Sequence, residues 1–251
     1  MKILRNNDAL QAYLSVCPSP IGLVPTMGYL HQGHGALLQS ARADNKTVIM
    51  TLFVNPAQFN ESNDFQSYPR DEVRDLALAK NQGADAVWLP EVEAIYPKGD
   101  SFSLIEHQHN LRMEGLYRPG HFHGVATVIL KLCQLVKPQR IYMGEKDYQQ
   151  LQLVEDLARC FFLPIHVVGV PTQREVSGLA MSSRNARLTD SQKDQAAAIY
   201  QAITFQPTSE KAKHHLLDQG FDVDYVEDYQ GRRFVAAWLG GVRLIDNVAI
   251  E

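Results

Sequence analysis

The sequence predicts an α/β chain: a parallel sheet with helices on both faces over residues 1–171, then a smaller α+β unit over 172–251. Three observations support this. Short, nearly continuous apolar runs such as Thr47-Val48-Ile49-Met50-Thr51-Leu52-Phe53-Val54 read as strands buried on both faces. Segments of helical spacing separate these runs, and a strand, helix, strand order of this length implies a right-handed parallel crossover. Polar turns, several bearing glycine, follow the strands at the ends where open parallel sheets bind ligands.

Taken in order, Leu10, Tyr13 and Leu14 mark a short amphipathic helix over residues 8–16, closed by Pro18 and Pro20. The apolar run Ile21 to Val24 then leads into Pro25-Thr26-Met27-Gly28-Tyr29-Leu30-His31-Gln32-Gly33-His34, read as a strand end, a tight turn and a helix beginning near His34. Gly28 and Gly33 permit close backbone approach, and a helix N-terminus offers unpaired N–H groups at its positive dipole end. Such a corner attracts anions, and His31 and His34 add donors that need no permanent charge. Two histidines at this spacing also suit a partial metal site or ordinary polar surface; the strand, glycines and helix together favour a nucleotide. Neither a GxxxxGK[ST] loop nor a GxGxxG after a predicted strand is present.

The second strand, 47–54, runs into Asn55-Pro56-Ala57-Gln58-Phe59-Asn60, which either simply stops the strand or places Asn55 and Gln58 on the rim shared with His31 and His34. A helix over 71–81 stopped by Gly83, a third strand at 86–90 and a short strand over 101–106 follow. His107 and His109 alternate without a nearby carboxylate or cysteine and read as surface groups. Arg118 to Gly124 reads as a polar loop before an apolar helix, Val125 to Val136, and the loop could either close over a site or merely enter the helix. After a strand at 140–143, residues 144–150 form either a solvated charged turn or a site where Gly144 permits close approach, Lys146 can meet a phosphate and Asp147 can accept from sugar hydroxyls. A helix at 151–160, a strand at 165–170 and Pro171 close the first unit. In Met181-Ser182-Ser183-Arg184-Asn185, two hydroxyls and a guanidinium after Gly178 suit phosphate oxygens. Helices at 192–203 and 211–219 precede a hairpin whose arms, 233–238 and 242–245, meet across Gly240-Gly241.

Composition narrows the function classes. A net charge of −4 and a pI near 6.1 give no electrostatic footprint for nucleic acid, so any basic site is local. Cys17, Cys133 and Cys160 are odd in number and widely spaced, which suggests neither a disulfide framework nor a zinc site. No secretory signal opens the chain, and no apolar run nears the ~20 residues of a membrane span, so a cytoplasmic protein without membrane or nucleic-acid partners is expected.

The segments PTMGYLHQGH, FVNPAQF, RPGHFHGV, GEKDYQQ and GLAMSSRN, in this order and spacing, closely resemble the pantothenate synthetase (pantoate–β-alanine ligase) family. The resemblance covers nearly the whole chain and weakens after about Leu188, where the chain looks shorter than is usual for that family. It implies a Rossmann-like ATP domain with a small C-terminal lid, related to class I aminoacyl-tRNA synthetases and nucleotidylyltransferases, and a homodimer. ATP and pantoate would give pantoyl adenylate and pyrophosphate with Mg²⁺ present; β-alanine would then release pantothenate and AMP. By motif, ATP would be met by Met27, Gly28, Tyr29, Leu30, His31, Gln32, Gly33 and His34. Further ATP contacts would come from Gly144, Glu145, Lys146 and Asp147, from the main chain near Gln173, and from Met181, Ser182, Ser183 and Arg184. His34 is the proton-donor candidate, and His31, Lys146 and Arg184 would assist at the phosphates. Gln58 and Gln150 would hold pantoate, with Gln58 also near β-alanine. Family members carry an aliphatic residue where Gln173 stands, a difference of little weight for a main-chain contact.

This chemistry suits the residue types. Attack of a carboxylate on the α-phosphate joins two anions and builds charge on pyrophosphate, so donors and Mg²⁺ are needed there. Neutral amides can fix the acid without competing as nucleophiles. A nucleotidylyltransferase and an inert nucleotide-binding module are the alternatives. The first would favour a more basic acceptor pocket, and the second would not need the full donor set.

Overall fold

The computed structural model describes residues 1–59, 65–66, 68–100 and 102–250. Asn60 of the second turn and Ser101 of the expected short strand lie outside them. Six strands, β1 (Lys2–Leu4), β2 (Ile21–Thr26), β3 (Thr47–Leu52), β4 (Ala86–Trp88), β5 (Arg140–Gly144) and β6 (His166–Val170), form one sheet in the order β1-β4-β3-β2-β5-β6. Every pairing in it is parallel. Side chains alternate along these strands, and each face is buried under its own helices. Leu23, Ile49, Trp88 and Ile141 face the helices His121–Val136 and Tyr148–Cys160, while Val24, Met50, Val87 and Tyr142 face Gln32–Asp44 and Glu72–Asn81. The expected α/β class with helices on both faces therefore holds.

Several boundaries differ from expectation. β1 is an edge strand of only three residues, too short to show a period. The helix expected to begin near His34 begins at Gln32, because His31 caps it. Its counterpart expected at Val125 begins at His121, after Gly120 in the left-handed region, and buries His121 and Phe122. Residues that read as a polar loop are thus an inward-facing first turn. The described residues 102–106 form no strand; the N–H groups of Leu104 and Glu106 donate instead to Thr127 Oγ1 at 3.0 Å and His123 Nδ1 at 2.9 Å. His109 is not a free surface group either, since its Nε2 lies 3.0 Å from Asp156 Oδ2, a carboxylate 47 residues away in sequence.

Beyond β6 the chain builds a second, antiparallel sheet from β7 (Asp222–Tyr229), β8 (Arg232–Leu239) and β9 (Val242–Ala249), in that order. The hairpin of β8 and β9 was legible. β7 was not, because its outward residues are acidic and its inward ones few. The single helix expected over 192–203 is two, Asp190–Ala196 and Ala198–Phe205. Val223, Val235, Ala237 and Leu244 pack one face of this sheet against Ile199, Ile203 and Leu216. Tyr225, Phe234 and Ala236 on the other face meet Met113 and Tyr148 of the first unit.

A buried charge cluster joins the same two surfaces. Arg243 on β9 meets Glu114 through Nη1 at 2.9 Å and Nη2 at 2.7 Å, and reaches Asp224 through Nε at 2.7 Å. Tyr225 donates its hydroxyl to Glu114 at 2.9 Å. The Arg243 guanidinium opposes the cost of burial and holds the Glu114 carboxyl down at about 2.

Candidate active site

From β2 the chain passes to β3 on one side, and after β4 it crosses back to β5 on the other side of β2. In an open parallel sheet this switch point opens a crevice at the carboxyl ends of the strands. A cleft of about 220 Å³ lies there, bounded by the segments after β2, β3, β5 and β6 and by residues 181–184. Met27, Gly33, Gln58, Gly144, Gln150 and Arg184 are among its lining, together with His31, His34, Lys146, Asp147, Gln173, Met181, Ser182 and Ser183. Five sequence-selected residues, Gly28, Tyr29, Leu30, Gln32 and Glu145, do not line it. Leu30 is wholly buried in the core between the sheet and the Gln32–Asp44 helix, and Gln32 is exposed. The Glu145 carbonyl accepts from Asn247 Nδ2 at 2.9 Å.

At the helix corner the two histidines cap the helix reciprocally. His31 Nδ1 accepts from the Gly33 N–H at 3.1 Å, and His34 Nδ1 accepts from the His31 N–H at 3.2 Å. A Cβ on residue 33 would stand 2.8 Å from the His31 ring, so this cap requires glycine there. Burial, then the Lys146 charge, lowers His31 to about 4; burial, then the His31 and Lys146 charges, holds His34 well below the usual imidazole value. Both rings are therefore neutral at pH 7. With each Nδ1 used as an acceptor, the ring proton of each sits on Nε2. The corner thus offers two fixed neutral donors at a helix N-terminus, rather than two cations.

The amide pocket is built from further away in sequence. Asn55 caps the turn Pro56–Gln58 and donates to Gln58 Oε1 at 3.0 Å and to the Gly124 carbonyl at 3.2 Å. Its own Oδ1 accepts from Tyr96 at 2.8 Å. Gln58 is buried, and its Nε2 approaches Met27 Sδ at 3.0 Å. His121 Nδ1 donates to the Gln58 carbonyl at 2.9 Å, and its Nε2 accepts from Arg118 at 3.2 Å. Burial, reinforced by the Arg118 charge, lowers His121 to about 4, so it too is neutral. Gly124 lets the helix seat directly against the Ala57 carbonyl, where a Cβ would collide.

In the same cleft Lys146 Nζ lies 3.6 Å from Asp147 Oδ2, with its side chain only 15% exposed. Both serine hydroxyls are engaged: Ser182 accepts from the Arg184 N–H at 3.2 Å, and Ser183 donates across the chain to the Tyr29 carbonyl at 3.1 Å. The Gln173 carbonyl accepts from the Met181 N–H at 2.9 Å, tying the two segments together. The sequence reading placed Asn55 on the rim but gave it no ligand, and it omitted His121 and Asp75. Asn55 carried a signal, its place after a strand; His121 was hidden by the loop reading of 118–124, and Asp75 sits in an unremarkable amphipathic helix.

A parallel α/β sheet with an anion-binding corner and a neighbouring amide pocket in one switch-point cleft defines a nucleotide-using enzyme. The profile of the family described as pantoate-beta-alanine ligase matches residues 2–249. The chain belongs to that family. It is 45% identical over 249 residues to pantothenate synthetase of Bdellovibrio bacteriovorus, covering 99% of both chains. With that of Legionella pneumophila (strain Lens) it shares 43% identity over 98% of this chain and 99% of the relative. Among solved structures, pantothenate synthetase from Thermus thermophilus superposes with TM-score 0.92 at 39% identity, covering 99% of both. A pantoate-beta-alanine ligase from Francisella tularensis, complexed with beta-gamma ATP and beta-alanine, superposes with TM-score 0.94 at 37% identity over 99% of this chain and 97% of that one. Against these relatives the C-terminal part is not short, contrary to the expectation from sequence.

Proposed function

We propose that the cleft activates pantoate with ATP and transfers the pantoyl group to β-alanine. The observation that carries this is the meeting of two unlike surfaces in one cleft: a phosphate-seeking corner of His31, His34, Lys146 and Arg184, and an amide pocket of Gln58 and Gln150. A pantoate carboxylate oxygen attacks the α-phosphorus, the bond to the β-phosphate bridging oxygen breaks, and pyrophosphate leaves. The β-alanine amine then attacks the acyl carbon, loses a proton, and AMP leaves. The Nε2–H groups of the two histidines and the Lys146 ammonium stabilise charge as it grows on the departing phosphates. With its Nδ1 accepting from the His31 N–H, His34 presents its Nε2–H to the phosphates as a hydrogen-bond donor. Gln58 and Gln150 orient the acid and its hydroxyls, and a buried, pre-bonded Gln58 loses little freedom in doing so.

Mg²⁺, when bound, would supply further charge neutralisation at the phosphates. Among the described residues no group of three or more His, Cys, Asp or Glu is placed to hold a metal. Residues 172–251 act as the lid over the nucleotide, a reading supported by Ser182, Ser183 and Arg184 on the cleft wall. Pantoate-dependent ATP–pyrophosphate exchange tests the first step. Exchange should require pantoate and proceed without β-alanine; its absence removes the adenylate reading.

The same reading includes a cytoplasmic homodimer, and no helix among the described residues is long and apolar enough to cross a membrane. Phe102, Ile105, Leu111 and Leu116, all strongly exposed along one segment, support a face covered by a second copy. Light scattering should give twice the mass of the 28.2 kDa chain; a monomer at assay concentration rejects the dimer.

A further inference from the structure

The turn between Thr26 and His31 lines the cleft at both ends but not in its middle. Met27 and His31 face the cleft, whereas Gly28, Tyr29 and Leu30 turn away. Gly28 at φ 88° and Tyr29 at φ 53° are consecutive left-handed residues, and a tyrosine adopts that region only when its surroundings hold it there. Successive N–H groups in such a turn form a concave donor pair suited to an anion. The family resemblance places Tyr29 and Leu30 among the residues that would meet ATP. In the structure a protein carboxylate takes their N–H groups.

Asp75, on the helix Glu72–Asn81, is 2% exposed. Its Oδ2 accepts from the Tyr29 N–H and its Oδ1 from the Leu30 N–H, each at 2.7 Å. The neighbouring Arg74 guanidinium covers the Tyr29 ring at 5.0 Å, and Ser183 donates to the Tyr29 carbonyl. The peptide between the two halves of the corner is therefore gripped at its N–H, its ring and its carbonyl. Of these grips, only Asp75 bridges two successive residues.

The geometry points to Asp75 as a positioning residue for ATP: by clamping the Tyr29 and Leu30 amides it fixes the turn that aims His31 and His34 at the phosphates. It touches no substrate and acts through the backbone. The two oxygens and two 2.7 Å bonds suit a carboxylate alone. In Asp75→Asn, one amide N–H would meet an NH₂ group, opening half of the clamp at unchanged volume. The inference rests on the ATP reading above.

Asp75→Asn and Asp75→Ala should be compared with the unsubstituted protein in steady-state kinetics, with amide hydrogen exchange on the unsubstituted protein. Loosening the turn should lower kcat/KM for ATP by about tenfold or more, with Asp75→Ala at least as impaired, since small misplacements of donors are costly. The KM for pantoate at saturating ATP should move less than about twofold, a split that a general loss of folded protein would not produce. The Tyr29 and Leu30 amides should exchange slowly although they lie outside any helix or strand. A folded Asp75→Asn with ATP kinetics within about twofold of the unsubstituted protein, an equal loss toward pantoate, or fast exchange at both amides would each overturn the inference. If neither variant folds, the exchange measurement decides. Missing pyrophosphate exchange in the unsubstituted protein would instead reject the ATP reading and leave the clamp to the amide measurement.

Discussion

His34→Ala should fold and turn over about 10²–10³-fold more slowly, the loss typical of removing one fixed donor aimed at developing charge. Folding should survive because the substitution leaves the strand core intact and takes from the helix only one cap acceptor, a loss of about 1 kcal/mol. Catalysis should not, because the ring does two things. Its Nδ1 accepts from the His31 N–H, and its Nε2–H donates into the cleft. Removing it subtracts one donor and frees the backbone that orients the other. Since the wild-type ring is already neutral at pH 7, the loss should be equally large at pH 7 and pH 9. Steady-state kinetics at both values checks this, with circular dichroism confirming the fold. A kcat within about threefold of wild type would take His34 out of the mechanism, and a defect that disappears at the higher pH would show that it works as an acid.

Glu114→Ala should cost about 3–5 kcal/mol of stability, the range for removing one partner of a buried ion pair. Three groups converge on this carboxylate: Arg243 through both terminal nitrogens, the Tyr225 hydroxyl and, at 3.6 Å, Arg118. Loss of Glu114 leaves the mostly buried Arg243 with Asp224 alone and opens the contact between β9 and the helix Met113–Tyr117. Urea unfolding followed by fluorescence measures the change. A loss below about 1 kcal/mol would mean that the apolar contact of Phe234, Tyr225 and Met113 docks the second sheet without help from charge.

Much of the fold was legible because its signals are local. Runs such as Val48 to Phe53 can be satisfied only inside a two-sided sheet, and turn residues bound them. Misread stretches were those whose character depends on distant partners. His121 and Phe122 looked like a polar loop because glycine, proline and histidine surround them, yet Gly124 seats the turn against Ala57 and buries both. β7 escaped notice because Tyr225 finds its apolar partners in Met113 and Phe234, on remote elements. The candidate site divides in the same way. His31, His34, Lys146, Gln58 and Asn55 were visible as chemically suited residues after strand ends, whereas the hold of Asn55 and His121 on Gln58 is legible only by contact.

The alternation of apolar strands and helices in the parallel sheet, the polar residues gathered at its strand ends and the family to which the chain belongs were legible in the sequence alone, since each rests on neighbouring residues or on ordered motifs. Tertiary structure decided how the corner works. Burial made both histidines neutral, backbone N–H groups chose their tautomers, and Asp75 took the Tyr29 and Leu30 amides of the turn. Protonation and hydrogen-bond pairing depend on the dielectric and on the groups within a few ångströms. For the Tyr29 amide that group is a carboxylate 46 residues away, brought there only by folding.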